Sequence, residues 1–271
     1  MSLIDLTERL KPFETIFNFR DFGGYGGLDD RPVRTGLLFR SAHLHALGPN
    51  DLAAIDNLPI GAVVDLRHAP ERRKQPSRWP PEPERAVVLT QPVDEARDAA
   101  TVAPHEAFAE HELYTADDAR GYMMRSYAAR PHDPGFVALF RDTLNRMTEE
   151  GLGDDQAGVL VHCAAGKDRT GTLVALVQGL LGVSDDDIMA DYMLTETAVD
   201  IDAILEPAAA MYSQRYGRPM DAGALRPMFG VEEGYLVASL EAMGEMERYA
   251  QDVLDFGPDR LQRLRARYLS G

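Results

Sequence analysis

Cysteine occurs once in these 271 residues, at position 163. A lone cysteine closes no intramolecular disulfide, so the fold rests on its apolar core. It also argues against a thiolate metal site, and the seven histidines are dispersed; no metal and no cofactor is expected. Long apolar runs are missing as well. The best, TLVALVQGLLGV, is interrupted by Gln178 and Gly179 and falls short of the roughly 18 residues that a membrane span needs. The start, MSLIDLTERLKPFETIF, has acids where a signal peptide has a basic end, and no apolar stretch follows. The expected location is cytoplasmic; export by a leaderless route would leave no mark to read.

Basic residues are in short supply. Against 44 Asp and Glu stand 28 Lys and Arg, a net charge of −16. Such a field repels phosphate at long range, which excludes general affinity for nucleic acid and for anionic bilayers. No nucleic-acid partner and no stable membrane insertion are expected. An anionic substrate would need a local positive site strong enough to overcome the field.

What is present is ordinary for a folded chain: 45% hydrophobic and 27% charged residues, enough for one sizeable core. There is no internal repeat and no low-complexity tract. GLLFRSA (36–42), IGAVVDLR (60–67) and GVLVHC (158–163) read as short buried strands, with a short helix starting near Asn50 between the first two. Residues 70 to 87 hold five prolines and many charges and read as a solvated loop. Helical spacing runs through 117–129 and 134–147, the second opening on a proline in its first turn. RTGTLVALVQGLLG reads as an apolar helix, and everything after Ser184 as helical. Strands interleaved with helices, then helices alone, imply an α/β sheet with a helical C-terminal layer. We expect one catalytic domain over residues 1–271, with 95–130 as a lid or mobile insertion.

The only cysteine lies in HCAAGKDRTG, His162 to Gly171, between a strand and a helix. That order puts the loop at the C-terminal end of a strand, where the first N–H groups of the helix and its dipole make an anion site. Ala164, Ala165 and Gly166 have almost no side chain, so the backbone can curl its amides around a phosphate. The planar fork of Arg169 can hold two phosphoryl oxygens at once. Cys163 sits in the same cradle, whose field favours thiolate and so makes a nucleophile aimed at phosphorus. The plainer alternative is a buried structural cysteine.

His162-Cys163, five residues, then Arg169-Thr170 resembles the signature loop of cysteine-dependent protein tyrosine phosphatases. The fuller HCAAGKDRTG is similar to that of a bacterial tyrosine/serine phosphatase family that also includes broad-specificity phosphoinositide phosphatases. NFRDFGGY, VRTGLLFRSAHL, VVDLR followed by Glu71, and LRPMFGVEEGYLVASLEAM extend the likeness over most of residues 13 to 268. Phe22 and Ala164 depart from it, standing where Leu and a larger or hydroxyl residue are more usual. The resemblance implies a phosphatase fold, a central mostly parallel sheet flanked by helices. It implies a metal-independent phosphomonoester hydrolase acting through a cysteinyl-phosphate on phosphotyrosine, with relaxed acceptance of phosphoserine/threonine or phosphoinositides. Its partners are then phosphorylated proteins or peptides, or a phosphoinositide.

The expected roles follow. Cys163 is the nucleophile; Arg169 clamps phosphate and stabilises the transition state together with the amides of Ala164, Ala165, Gly166, Lys167 and Asp168. Thr170 either hydrogen-bonds the sulfur or only caps the helix. His162 orients the loop. The leaving oxygen needs a proton, and the candidate acids are, in order of preference, Asp168, Asp65, Asp94 and Asp133. Asp168 resembles the in-loop aspartate of the myotubularin lipid phosphatases, whereas Asp65 has a structural alternative as partner of Arg67. Lys167 adds charge at the rim, which in this resemblance accompanies multiply phosphorylated headgroups; its plain reading is a solvated lysine. His43 and His45 read as structural, and DRLQRLRARYL as a packed terminal helix with one wet face. Competing readings are a pseudophosphatase that binds without turnover and an arsenate reductase or sulfurtransferase. The want of a second, resolving cysteine argues against a thiol-cascade reductase.

Overall fold

The computed structural model describes residues 9–10, 13–82, 84–92, 115–151, 153 and 156–271. Its strands are β1 (Arg20–Asp21), β2 (Leu38–Ser41), β3 (Ile60–Asp65), β4 (Val87–Thr90) and β5 (Gly158–His162), in the order β1-β2-β5-β3-β4. β1 pairs antiparallel with β2, and the other pairings are parallel. The sheet is mixed and mostly parallel, as expected of the phosphatase fold.

Parallel strands are covered on both faces, which explains why β2, β3 and β5 are apolar runs rather than alternating ones. Alternation shows instead in where each side chain goes. Leu38, Ala62, Val64, Val159 and Val161 enter the larger core, while Phe39, Val63 and Leu160 enter a second core on the other face. The larger core is closed by α3 (Ala116–Ala129), α4 (Pro134–Met147) and α5 (Asp168–Leu180). The second holds Ile55 of α1 (Pro49–Asp56) and the one tryptophan, Trp79. Beyond α5 the chain is helical: α6 (Asp185–Met193), α7 (Thr195–Ala198), α8 (Ile201–Tyr216), α9 (Ala222–Phe229), α10 (Glu233–Met243), α11 (Met246–Asp252) and α12 (Pro258–Tyr268). In α12, Leu261, Leu264 and Tyr268 are buried while Arg263 is exposed and Arg260, Arg265 and Arg267 are half-buried, the packed terminal helix read from its spacing.

One sequence expectation fails here. Residues 70 to 87 are not all solvated loop: α2 spans Ala69–Lys74 and Trp79 is buried. Pro70 lies in the first turn of α2, where its missing N–H costs nothing, so proline starts this helix instead of breaking it. Of the segment 95–130 expected as a lid, 95–114 lie outside the described residues, as does Asp94. The remainder is α3, whose Ala119, Met123 and Tyr127 are buried in the core.

Candidate active site

β5 is the central strand, between β2 and β3, and the chain leaving it enters the loops at the C-terminal ends of the parallel strands, the usual side for a ligand in such sheets. Cys163 follows β5 directly. It is buried, and it lines a cavity of ≈500 Å³ together with Ala164, Ala165, Lys167, Asp168 and Arg169. α5 begins at Asp168 with no side-chain cap, so its first amides stay available at the base of that cavity.

The loop's carbonyls are held away from it. The Ala164 carbonyl accepts from the His43 amide at 3.1 Å. Asn18 Nδ2 donates to the carbonyls of Ala165 (3.3 Å) and Gly166 (2.9 Å), and Arg40 Nη2 to those of Gly166 (2.9 Å) and Lys167 (3.5 Å). In a planar trans peptide the C=O of one residue and the N–H of the next point in opposite directions. Fixing those four carbonyls therefore aims the amides of Ala165, Gly166, Lys167 and Asp168 the other way. Gly166 completes the turn with φ +68, and a Cβ there would collide with the Ser41 backbone, so only glycine fits.

Arg169 is held by Glu71 of α2: Nη1 donates to Oε2 at 2.5 Å and Nη2 to Oε1 at 2.8 Å, and Nη1 also reaches the Leu66 carbonyl at 3.4 Å. Burial works against the charge of Arg169, but the Glu71 carboxylate outweighs it and raises the guanidinium above its ordinary value. Burial likewise pushes Glu71 up, and Arg169 more than offsets it, leaving the carboxyl at about 2. Glu71 Oε2 also accepts from the His68 amide at 2.8 Å, which fixes it at the start of α2.

The candidate acids separate. Asp168 lines the cavity, and its Oδ1 accepts from the Tyr127 hydroxyl at 2.7 Å and from Lys167 Nζ at 3.1 Å. Tyr127 is in turn bonded to the Tyr192 hydroxyl at 2.8 Å. Asp65 is buried and paired with Arg67 through Nε (2.9 Å) and Nη2 (2.7 Å). Burial raises its pKa, but His162 and Arg67 together hold it below the usual carboxylate range, so it has no proton to give at neutral pH. Asp133 caps α4, accepting from the amides of Gly135 and Phe136, far from any donor role.

Two further expectations are corrected. Lys167 is not at a solvated rim: it is buried, and Nζ donates to the carbonyls of Met228 (2.7 Å) and Gly230 (2.8 Å) at the end of α9. Thr170 forms neither of the bonds expected of it, its Oγ1 being buried with no hydrogen-bond partner among the described residues. His162 is buried beneath the loop, and burial depresses its pKa despite Asp65 at 3.7 Å. His43 and His45 pack ring against ring at 5.9 Å, and what reaches the loop is the His43 backbone amide. Among the described residues no group of three metal-ligating side chains is gathered.

Glu71, Asn18 and Arg40 were not singled out for roles in the sequence. One side of the cavity wall is apolar, with Val199 just before α8, Ile201 and Ile204 in its first turn, and Met228 and Phe229 at the end of α9; the other side is polar, with Arg67, His68, Lys74 and Gln75.

The chain matches the model of the tyrosine phosphatase family over residues 11–270. It is 29% identical over 265 residues to a Cupriavidus necator protein provisionally named a tyrosine-protein phosphatase, covering 96% of this chain and 88% of that one. It is 30% identical over 255 residues to the triple specificity protein phosphatase PtpB of Mycobacterium tuberculosis, covering 84% of this chain and 87% of that one.

Proposed function

This chain belongs to the tyrosine phosphatase family, and from that premise we propose that it hydrolyses phosphotyrosine in proteins or peptides through a cysteinyl-phosphate. The observation that carries the reading is the convergence of Cys163, Asp168 and Arg169 on one cavity floored by backbone amides. In the first step the Cys163 sulfur attacks phosphorus, the bond from phosphorus to the tyrosyl oxygen breaks, and Asp168 gives that oxygen a proton. Arg169 and the loop amides hold the equatorial oxygens as charge shifts among them. In the second step water attacks the phosphorus, its proton passes to Asp168, and the bond from phosphorus to sulfur breaks to release phosphate. The protein's net charge and the protons exchanged return to their starting state, and no oxidant or reductant is consumed.

The apolar wall favours an aryl group. A tyrosyl ring reaching the floor lies along Met228, Phe229 and Ile201, whereas a phosphoseryl side chain leaves them wet. Lys167 is spent on two carbonyls, so the charge on which phosphoinositide acceptance rested is already engaged. No helix among the described residues is long and apolar enough to cross a membrane.

The test is turnover of para-nitrophenyl phosphate and of phosphotyrosine, phosphoserine and inositol-lipid substrates with a chelator present. We expect phosphotyrosine to lead and Cys163→Ser to abolish all turnover. A wild-type protein that binds phosphotyrosine peptide without releasing phosphate would establish a binding module instead.

A further inference from the structure

Asp191, on α6, touches neither the cavity nor the loop, yet both side chains that hold the loop's carbonyls lead back to it. Its Oδ2 accepts from Arg40 Nη1 at 2.6 Å, and the other end of the same guanidinium donates to the Gly166 and Lys167 carbonyls. Its Oδ1 accepts from Arg20 Nε at 3.3 Å and its main-chain carbonyl from Arg20 Nη2 at 2.8 Å. Arg20 in turn donates through Nη1 to Asn18 Oδ1, which leaves the amide nitrogen of Asn18 facing the carbonyls of Ala165 and Gly166. All of Asn18, Arg20, Arg40 and Asp191 are buried. The amide of Asn18 could not be flipped here, because its oxygen would then face two carbonyl oxygens.

We propose that Asp191 is a positioning residue for oxyanion binding: through Arg40, and through Arg20 and Asn18, it fixes the carbonyls of residues 165–167 outward. The amides of Gly166, Lys167 and Asp168 are thereby aimed at the phosphoryl oxygens. The arrangement also carries charge. Two guanidiniums against one carboxylate leave a net +1 buried behind the loop, in a chain whose total is −16. Removing the carboxylate would leave two buried arginines with like charge and no counterion, free to abandon the carbonyls they now hold. A purely structural ion cluster would need no contact with the loop; this one ends on three of its peptide groups. The inference rests on the phosphatase reading for its purpose, not for its geometry.

The experiment measures binding of tungstate, an unreactive tetrahedral oxyanion, by calorimetry, beside aryl phosphate turnover and thermal midpoint. Asn18 has φ +57, which glycine adopts freely, so Asn18→Gly removes the two carbonyl bonds with little backbone cost. We expect tungstate to bind about tenfold more weakly to Asn18→Gly with its thermal midpoint close to wild type. We expect a larger loss in Asp191→Asn, and in the double variant a loss well below the product of the two. If Asp191→Asn does not fold, Arg40→Lys keeps the charge beside Asp191 but cannot span to Gly166, and the same weakening is expected. Folded variants that bind tungstate within twofold of wild type overturn the proposal, and so does a double variant whose losses multiply. A wild-type protein that binds tungstate but hydrolyses no aryl phosphate overturns the catalytic reading alone.

Discussion

Glu71 and Arg169 meet as a two-pronged ion pair across 98 positions of sequence, at 2.5 and 2.8 Å. The pair sets the plane of the guanidinium, so if Arg169 clamps phosphate as proposed, less of its freedom is lost on binding. It also ties α2, and with it one wall of the cavity, to the start of α5.

A pH dependence follows from that pair. The folded-state pKa of Glu71 is depressed from 4.5 to about 2. Its contribution to stability is therefore present above about pH 4.5 and lost as the pH falls through about 2. The depression corresponds to on the order of 3 kcal/mol at neutral pH. Glu71→Gln is expected to lose stability of that order in denaturant titrations at pH 7, with the gap to wild type closing below pH 4.5. A gap that stays constant down to pH 2.5 would show that the charge is not what stabilises. The variant is also expected to lose catalytic efficiency, because Arg169 then has no fixed partner.

Gly166 supplies a sharper test of the cradle itself. Its φ is +68 and the space beside its α-carbon is filled by the Ser41 backbone. Gly166→Ala faces the left-handed conformation, worth about 1–2 kcal/mol, and a clash that only movement of the loop relieves. We expect a lower thermal midpoint and at least a hundredfold loss of kcat/KM on aryl phosphate. Full activity in the alanine variant would mean that the loop adopts another shape when it works.

The part of this site legible in the sequence is the part that is local. HCAAGKDRTG carries the proposed nucleophile, the proposed clamp and the helix start within ten residues, and the strand and helix flanking it obey their own hydrophobic patterns. What supports the loop is not local. Asn18, Arg40 and Glu71 reach it from other elements, with Asp191 behind Arg40, and spacing along a chain does not show which distant side chain will meet which partner. One signal was there: Arg40 interrupts the apolar run GLLFRSA and Asp191 the run IMADYM, and a charge inside a buried segment needs a buried partner. Lys167 is buried, against the solvated position its residue type suggests, for the opposite reason. Lysine is usually solvated, and only the fold brings the end of α9 to within reach of its ammonium.

Asp168 is expected to show the signature of a proton donor. Asp168→Asn keeps the shape and can still accept from Tyr127, but has no proton to transfer. On phosphotyrosine, whose leaving oxygen is basic, kcat is expected to fall by about 10²–10⁴-fold. On para-nitrophenyl phosphate, whose leaving group departs without protonation, the loss is expected to be far smaller. Equal losses on both substrates would assign Asp168 to holding Tyr127 and Lys167 in place, with the proton coming from elsewhere.

Lys167 separates two ways in which a lysine in this loop can act. Its ammonium joins the Cys163 loop to the end of α9, the same turn that presents Met228 and Phe229 to the cavity. If its work is to hold that wall, Lys167→Met leaves two buried carbonyls without a donor, a loss of about 1–3 kcal/mol each when wholly uncompensated. The wall then loosens. A raised KM for phosphotyrosine peptides and a lower thermal midpoint are expected, with tungstate affinity nearly unchanged because the small anion does not touch the wall. If the charge instead serves the phosphate directly, tungstate affinity falls at least as far as peptide affinity. The position of the ammonium, 2.7 and 2.8 Å from two carbonyl oxygens, favours the first outcome.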